Sequence, residues 1–339
     1  MAAPAVDFSG LGPKIQSYTL REAETLLTTM LITDQSFLDF MELYPDVTDQ
    51  LALTQMFVSS VLQPGGKDTF DPKGTVQFKN RIGQVRDCKI DYTLTPTMIN
   101  AMWKSYLGRI AKSKRGDVYD VPFQQYIMDK LAEKAKEEMH LDAVFKGVYN
   151  GAKKQANRVF DGLLPLIYKA NLAAGQIFAG APVTQSNAID QLEGLADKVP
   201  SHLINKPLVM LVEPSAAKFY NRDYRGTFGA NTNNTGGFEH QTIDGTNIRI
   251  VPEPGLANTG AVICTLAENL VWLTGPLGGG PNSFIVEKHR RNIDVMADFQ
   301  AAPDIAVAEL VWTNQAALTK GAALITAEAN EPDEEDDDE

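Results

Sequence analysis

The sequence predicts an α+β fold, and three observations carry that expectation. Residues Asp120–Tyr149 repeat their apolar positions at helical period, and residues 51–95 alternate at period two between clusters of turn residues. From Ala188 onward, short helical and strand-like runs follow one another.

The chain of 339 residues holds enough material for one large or two moderate domains. Its 44% hydrophobic and 22% charged residues are an ordinary balance for a globular protein. No apolar run approaches the roughly 20 residues needed to cross a bilayer. The opening MAAPAVDFSGLGP lacks the basic-then-apolar order of a secretory signal. Cys88 and Cys264 stand far apart without metal-ligand spacing, so small buried hydrophobes in a reducing compartment are expected. The net charge of −12 is concentrated at one end: residues 328–339 hold nine carboxylates and no base, leaving −3 on residues 1–327. So dense a run of like charge repels itself and buries nothing, which predicts a disordered acidic tail over 328–339.

In chain order, residues 1–50 open with Gly and Pro. Thr19 and Glu22 are spaced as a capping box ahead of Leu26, Leu27, Met30 and Leu31, and a second helical turn or two is expected near Phe37–Leu43. This arm is too small for a core of its own and must lie on its own body or on a neighbour. Residues 51–96 read as a long β-hairpin, with alternation at Val76, Phe78 and Ile82 and again at Cys88, Ile90, Tyr92 and Leu94. Its tip is basic and turn-rich, around Pro64-Gly65-Gly66 and Lys73-Gly74. A two-stranded hairpin is marginal in water and needs a surface to lie on.

A helix is expected over 97–116, carrying five basic residues and no acid from Ala101 to Gly116. Phosphate binding and a solvated or ion-paired face both remain open for it. The helix of Asp120–Tyr149 follows, with Phe123, Ile127, Leu131, Ala135 and Met139 on one face and Asp129, Lys130, Glu133, Lys134 and Glu137 opposite. At about 1.5 Å per residue it would be on the order of 40 Å long, though a core helix of an ordinary enzyme would show the same face. Phe160–Ile167 turns into a buried apolar patch. Helices are then expected at Ile189–Val199 and Glu213–Arg225, and strands at Pro207–Val212, Asn247–Val251, Ala261–Leu266, Leu270–Thr274, Ser283–Glu287, Ile293–Phe299 and Ile305–Asn314. Residues 226–241, rich in Gly, Asn and Thr, read as an exposed loop.

Catalytic signatures do not emerge. GPLGGGPN lacks the Lys-Ser/Thr and the following helix of a phosphate-binding loop. The four histidines are scattered, His140 reads as a boundary residue, and neither GxSxG nor HExxH occurs. No enzyme activity, cofactor or metal is expected.

The order of these parts resembles the major capsid proteins of tailed bacteriophages, with the Hong Kong ninety-seven fold. FDGLLPLI and the closing NIDVMADFQAAPDIAVAELVW are similar to segments after the long helix and near the end of such proteins. The resemblance implies an N-terminal arm (1–50), an extended loop (51–96) and a peripheral domain (97–184) whose spine helix is 120–149. An axial domain (185–285) and strands returning to the peripheral domain (286–327) would follow. It implies a shell of hexamers and pentamers enclosing double-stranded DNA in a virion, assembled in a host bacterial cytoplasm with portal, scaffolding and decoration proteins as partners. Many members begin with a helical scaffold segment; none is recognised here, so scaffolding is expected from a separate protein or is not needed. Inter-subunit contacts would fall on Lys67, Phe70, Lys73, Val76, Phe78, Lys79, Arg81 and Arg86 of the extended loop. Two other readings stand beside it: an encapsulin-like compartment, and an α/β enzyme with a mobile hairpin lid.

Overall fold

The computed structural model describes residues 15–18, 22, 25–28, 30–31, 36–64, 72–112, 123–228, 242–276 and 283–330. Helical backbone at 15–18, 25–28 and 30–31 precedes a 3-10 turn at Ser36–Asp39. The elements that follow are β1 (Glu42–Tyr44), β2 (Gln50–Val58), β3 (Val76–Gln84), β4 (Arg86–Leu94), α1 (Pro96–Lys112) and α2 (Phe123–Glu138). Next come α3 (Leu163–Lys169), β5 (Ile177–Phe178), α4 (Ala188–Ala196), β6 (Leu208–Val212), α5 (Pro214–Phe228), β7 (Ile248–Pro252) and β8 (Val262–Leu266). The chain closes with β9 (Leu270–Thr274), β10 (Ser283–His289), β11 (Asn292–Ile305), β12 (Val311–Asn314) and α6 (Gln315–Asn330).

Three sheets result. One runs β5-β12-β8-β6-β7, with β6 and β7 parallel and connected through α5. Its strands are short apolar runs, and α4 and α5 cover it through Leu192, Leu195, Ala217 and Tyr220, packed on Met210, Ile250 and Cys264. A second sheet is organised by β11. Its first half pairs with β10 on one edge and β4 on the other, and its last residues, Ala301–Ile305, pair with β9. β1 lies parallel to β9 at the far edge. The third is a two-stranded ribbon, β2 with β3, from Gln50↔Gln84 to Val58↔Val76.

The described part of the arm lies on its own body. Leu27, Met30, Leu31, Phe37 and Phe40 are buried in the main core around Trp272. The Trp272 indole N–H donates to the Leu31 carbonyl at 3.2 Å, and Phe37 meets the Trp272 ring edge-on at 4.9 Å. The second helical turn expected near Phe37–Leu43 is only the 3-10 turn, because Glu42–Tyr44 is taken up by the edge of the β9 sheet.

Several expectations need correction. The hairpin pairs β3 with β2, and the second alternating run, β4, pairs instead with β11, where Thr93 and Asp294 are 201 residues apart in sequence. The long helix is shorter than 120–149: residues 120–122 lie outside the described residues, and regular α-helix stops at Glu138. A π turn, Met139–Ala143, follows, with the Val144 N–H donating to the Met139 carbonyl at 2.9 Å. Beyond it Val144, Phe145 and Val148 are all buried, so the chain dives into the core and has no polar face to continue an amphipathic helix. Within α2 the expected face holds: Phe123, Ile127 and Met139 beyond its end are buried, while Lys130, Glu133 and Lys134 are exposed in i,i+3 and i,i+4 ion pairs.

Ile305–Asn314 is not one strand. The chain leaves one sheet at Ile305, makes a 3-10 turn at Ala308–Leu310, and enters the other as β12. Asn269 satisfies this crossing: its amide donates to the Val307 carbonyl and its oxygen accepts from the Val307 N–H. Residues 315–330, expected as strand and tail, form helix α6, so Glu328–Asn330 belong to a helix end. The rest of the acidic tail, residues 331–339, lies outside the described residues.

Candidate assembly surface

The β2–β3 ribbon carries the most prominent feature that the fold leaves unused. Cross-strand partners in an antiparallel pair project to the same face. The register therefore places Met56 with Phe78, Val58 with Val76 and Ala52 with Ile82 on one face. All of these side chains are exposed, Phe78 by 65% and Met56 and Ile82 by 61% each, and Val61 and Leu62 extend the apolar stripe beyond the strands.

The opposite face holds the ribbon to the body. Leu53 packs in a small cluster with Val47, Val85, Val271 and Leu273. Beside it the Arg81 guanidinium donates twice to Asp304 Oδ1, at 2.7 and 3.0 Å, and Lys79 reaches Glu309. The Asp304 side chain is only 8% exposed. Burial pushes its carboxyl above the usual carboxylate range, opposed by the Arg81 charge and the Ile305 N–H. Gly83 is needed at this root, because a Cβ there would come within 2.8 Å of Leu273 and 3.1 Å of Asp304.

The expected contact residues thus separate by role. Val76 and Phe78 face outward on the apolar stripe. Lys79 and Arg81 are engaged by carboxylates of their own chain, and Arg86 lies over the Tyr149 ring at 4.2 Å. Lys73 donates to the Leu62 carbonyl at 2.7 Å, stiffening the chain beyond the strands. Lys67 and Phe70 lie outside the described residues. Sequence reading missed Met56, Val58, Val61, Leu62 and Ile82 as surface residues. The alternating QLALTQMFV of β2 was the signal for the first two.

Chemistry elsewhere is sparse. Among the described residues no group of three or more His, Cys, Asp or Glu is placed to hold a metal. Burial pushes the Cys88 and Cys264 thiols up to about 12, well away from nucleophilic thiolates. His140 sits in the π turn and pairs with the buried Glu253, which also accepts the Gly255 N–H, so it ties α2 to the loop after β7.

No protein-family model and no curated protein matches this chain. Solved structures do. A chain of the satellite phage P4 procapsid including size determination protein aligns over 93% of this chain and 91% of its own, with a TM-score of 0.57 at 12% identity. The capsid of an empty GTA particle aligns over 83% and 89%, with a TM-score of 0.52 at 10% identity. A structure of Gordonia phage Cozz covers 83% and 85%, at 0.50 and 12%. This is the capsid-protein fold of the Hong Kong ninety-seven type. At such identities it is the architecture that is shared, and the alignment spans the body and not one motif.

Proposed function

We propose that this chain is the structural subunit of an icosahedral capsid, self-assembling into hexamers and pentamers around the double-stranded DNA of a tailed phage. The observation that carries the proposal is the exposed apolar stripe of the ribbon, on a chain whose fold is that of capsid subunits. Its occupant is a second copy of this chain. Shells of identical subunits are built from heterologous contacts that close into rings, and such obligate interfaces bury about 2,000–5,000 Å². In this reading residues 51–96 are the extended loop, 97–184 and 286–327 the peripheral domain and 185–285 the axial domain. Val76 and Phe78 make the inter-subunit contact together with Met56, Val58 and Ile82. Lys79, Arg81 and Arg86 set the ribbon's direction from within the subunit, and Lys67, Phe70 and Lys73 belong to the tip. Portal, scaffolding and decoration proteins would be further partners, the host cytoplasm the place of assembly, and the virion the destination.

The test is to purify the full chain at high concentration and examine it by electron microscopy and sedimentation. Closed particles of uniform size are expected, and particles from infected cells should contain DNA. A chain that stays monomeric at high concentration and forms no particle in cells would end the proposal. Closed shells that hold protein cargo and no nucleic acid would remove the DNA part and leave the shell.

A further inference from the structure

Helix α6 is attached to the body in two different ways. Leu318 and Leu324 pack against the main core. Beyond Leu324 the apolar packing gives out, and Thr326, Ala327, Ala329 and Asn330 are exposed. Here Glu328 is half-buried and accepts a hydrogen bond from the Asn150 side-chain amide. A carboxylate and a neutral amide thus join the last turn of the helix to the loop after the π turn.

Asn150 is followed by Gly151, the only Asn-Gly pair in the sequence. The backbone nitrogen after an asparagine can attack the side-chain carboxamide, and a following residue without a Cβ hinders that approach least. The local fold assists the attack. The Ala152 N–H donates to Asn150 Oδ1 at 2.9 Å. This turn closes a ring that contains the Gly151 nitrogen, and it draws electron density from the carboxamide carbon. The Lys153 N–H donates to the Asn150 backbone carbonyl at 3.3 Å. Both turn bonds are therefore made by amides other than that of Gly151. Gly151 itself is exposed, so water reaches the site.

We propose that Asn150 is a site of spontaneous deamidation whose product releases the last turn of α6. The Gly151 nitrogen loses its proton to solvent and bonds to Asn150 Cγ. The bond from Cγ to the side-chain nitrogen breaks, and that nitrogen takes up a proton and leaves as ammonia. Water then opens the cyclic imide at either carbonyl, giving aspartate or isoaspartate. Overall, water is consumed and ammonia released. The product carries a carboxylate where the donor to Glu328 stood, and two carboxylates that share a site repel each other unless one is protonated. Because the ammonia is lost to solvent, the change runs one way and acts as a timer on each subunit. It depends on the chemistry of the subunit and not on the capsid reading.

The test begins with the full chain held in warm, mildly alkaline buffer and sampled by peptide mapping. Asn150 should convert to a mixture of aspartate and isoaspartate several-fold faster than the exposed Asn171, Asn205 and Asn258. Conversion should slow several-fold in Gly151→Ala, whose added Cβ meets the far end of the Tyr149 side chain, 3.1 Å from its hydroxyl. An Asn150 that converts no faster than the three exposed asparagines, or as fast in Gly151→Ala as in the parent, would overturn the proposal. The release is read separately by amide hydrogen exchange. Asn150→Asp reproduces the charge of the product and should speed exchange of residues 326–330 several-fold. Adding Glu328→Gln should restore the parent's rate, since amide and carboxylate then face each other in the opposite sense. Parent-like exchange in Asn150→Asp, or no recovery in the double variant, would overturn the release even where the deamidation occurs.

Discussion

The sheet built on β6 and β8 and the ribbon of β2 and β3 make opposite use of the same backbone hydrogen bonding. The ribbon has the longer strands, nine residues each against five. Yet every residue of β6 is buried, whereas only Leu53 of β2 and Gly83 of β3 are. Strand length therefore says little about stability. The short strands are stable because helices cover them and bury apolar surface at roughly 25 cal/mol per Å². The long ones form a ladder with one face left open, and among the described residues a small cluster at the root and two ion pairs along β3 hold it to the body. The first region completes itself within one chain, and the second leaves an apolar face uncovered, which in the proposed function a second copy covers.

The sharpest way to break this contrast is to put the same charge into both regions. Met210 in β6 is fully buried among Tyr220, Ile250 and Cys264. Met210→Asp would bury an unpaired carboxylate at a cost of several kcal/mol, a large share of the 5–15 kcal/mol that holds a typical domain together. The expected outcome is loss of the thermal transition and insoluble protein. Phe78→Asp places the same carboxylate on the open face, where the subunit feels it by no more than about 0.5 kcal/mol. Its melting temperature should stay put while sedimentation shifts from large particles to slow species, because each lost contact is repeated throughout the shell. Normal particles from Phe78→Asp would break the comparison, since the apolar stripe would then have no occupant that matters.

Much of the buried region was legible in sequence. β6 is an uninterrupted apolar run, β8 and β9 carry one threonine each, Thr265 and Thr274, and α2 shows its face at a four-residue spacing. The open region was only half legible. β3 alternates visibly, but its partner is β2, across a long turn-rich stretch, whereas β4 looked like the natural return strand. Local pattern cannot tell the two apart, because pairing is decided by where β11 lies. The ion pair that fixes the ribbon joins Arg81 to Asp304 across 223 residues and leaves no local trace. Helix α6 was missed for a different reason: QAALTKGAALITAEAN is rich in Ala, a strong helix former that adds little to an apolar stripe.

Gly321 on α6 shows what that composition is for. A Cβ there would lie 2.5 Å from the Leu164 carbonyl oxygen and 3.0 Å from Tyr168 Cβ, so α6 and α3 are in backbone contact. Gly321→Leu should force the helices apart and cost about 1–3 kcal/mol, read as a lower melting temperature. The ribbon should keep its position, because none of its anchors touches α6. If the variant melted like the parent, α6 would be only loosely attached and its place beside the loop at Asn150 would be in question.

The smallest expected effect concerns the ribbon's own anchor and is read best through pH. Burial raises the Asp304 carboxyl in the folded chain above its value in the unfolded one. The folded state therefore holds this proton more tightly, and stability rises with the number of protons bound on folding. The contribution is fully present below the unfolded value and is lost as pH rises through the folded one. Asp304→Asn keeps an oxygen for Arg81 and the Ile305 N–H but cannot titrate. At neutral pH the variant should melt within about 1 kcal/mol of the parent, because the carboxylate's burial cost slightly outweighs its attraction to a partly solvated Arg81. As pH falls through the carboxylate range the parent should gain on the variant, since only the parent takes up the proton. Differential melting of the two proteins from pH 7 down to pH 4 measures that gain directly. A parent that instead lost stability relative to the variant as pH fell would mean the Arg81 charge dominates and the folded carboxyl lies below its unfolded value. The ribbon would then be held by a strong ion pair, and its attachment to the subunit would be as firm as its open face is bare.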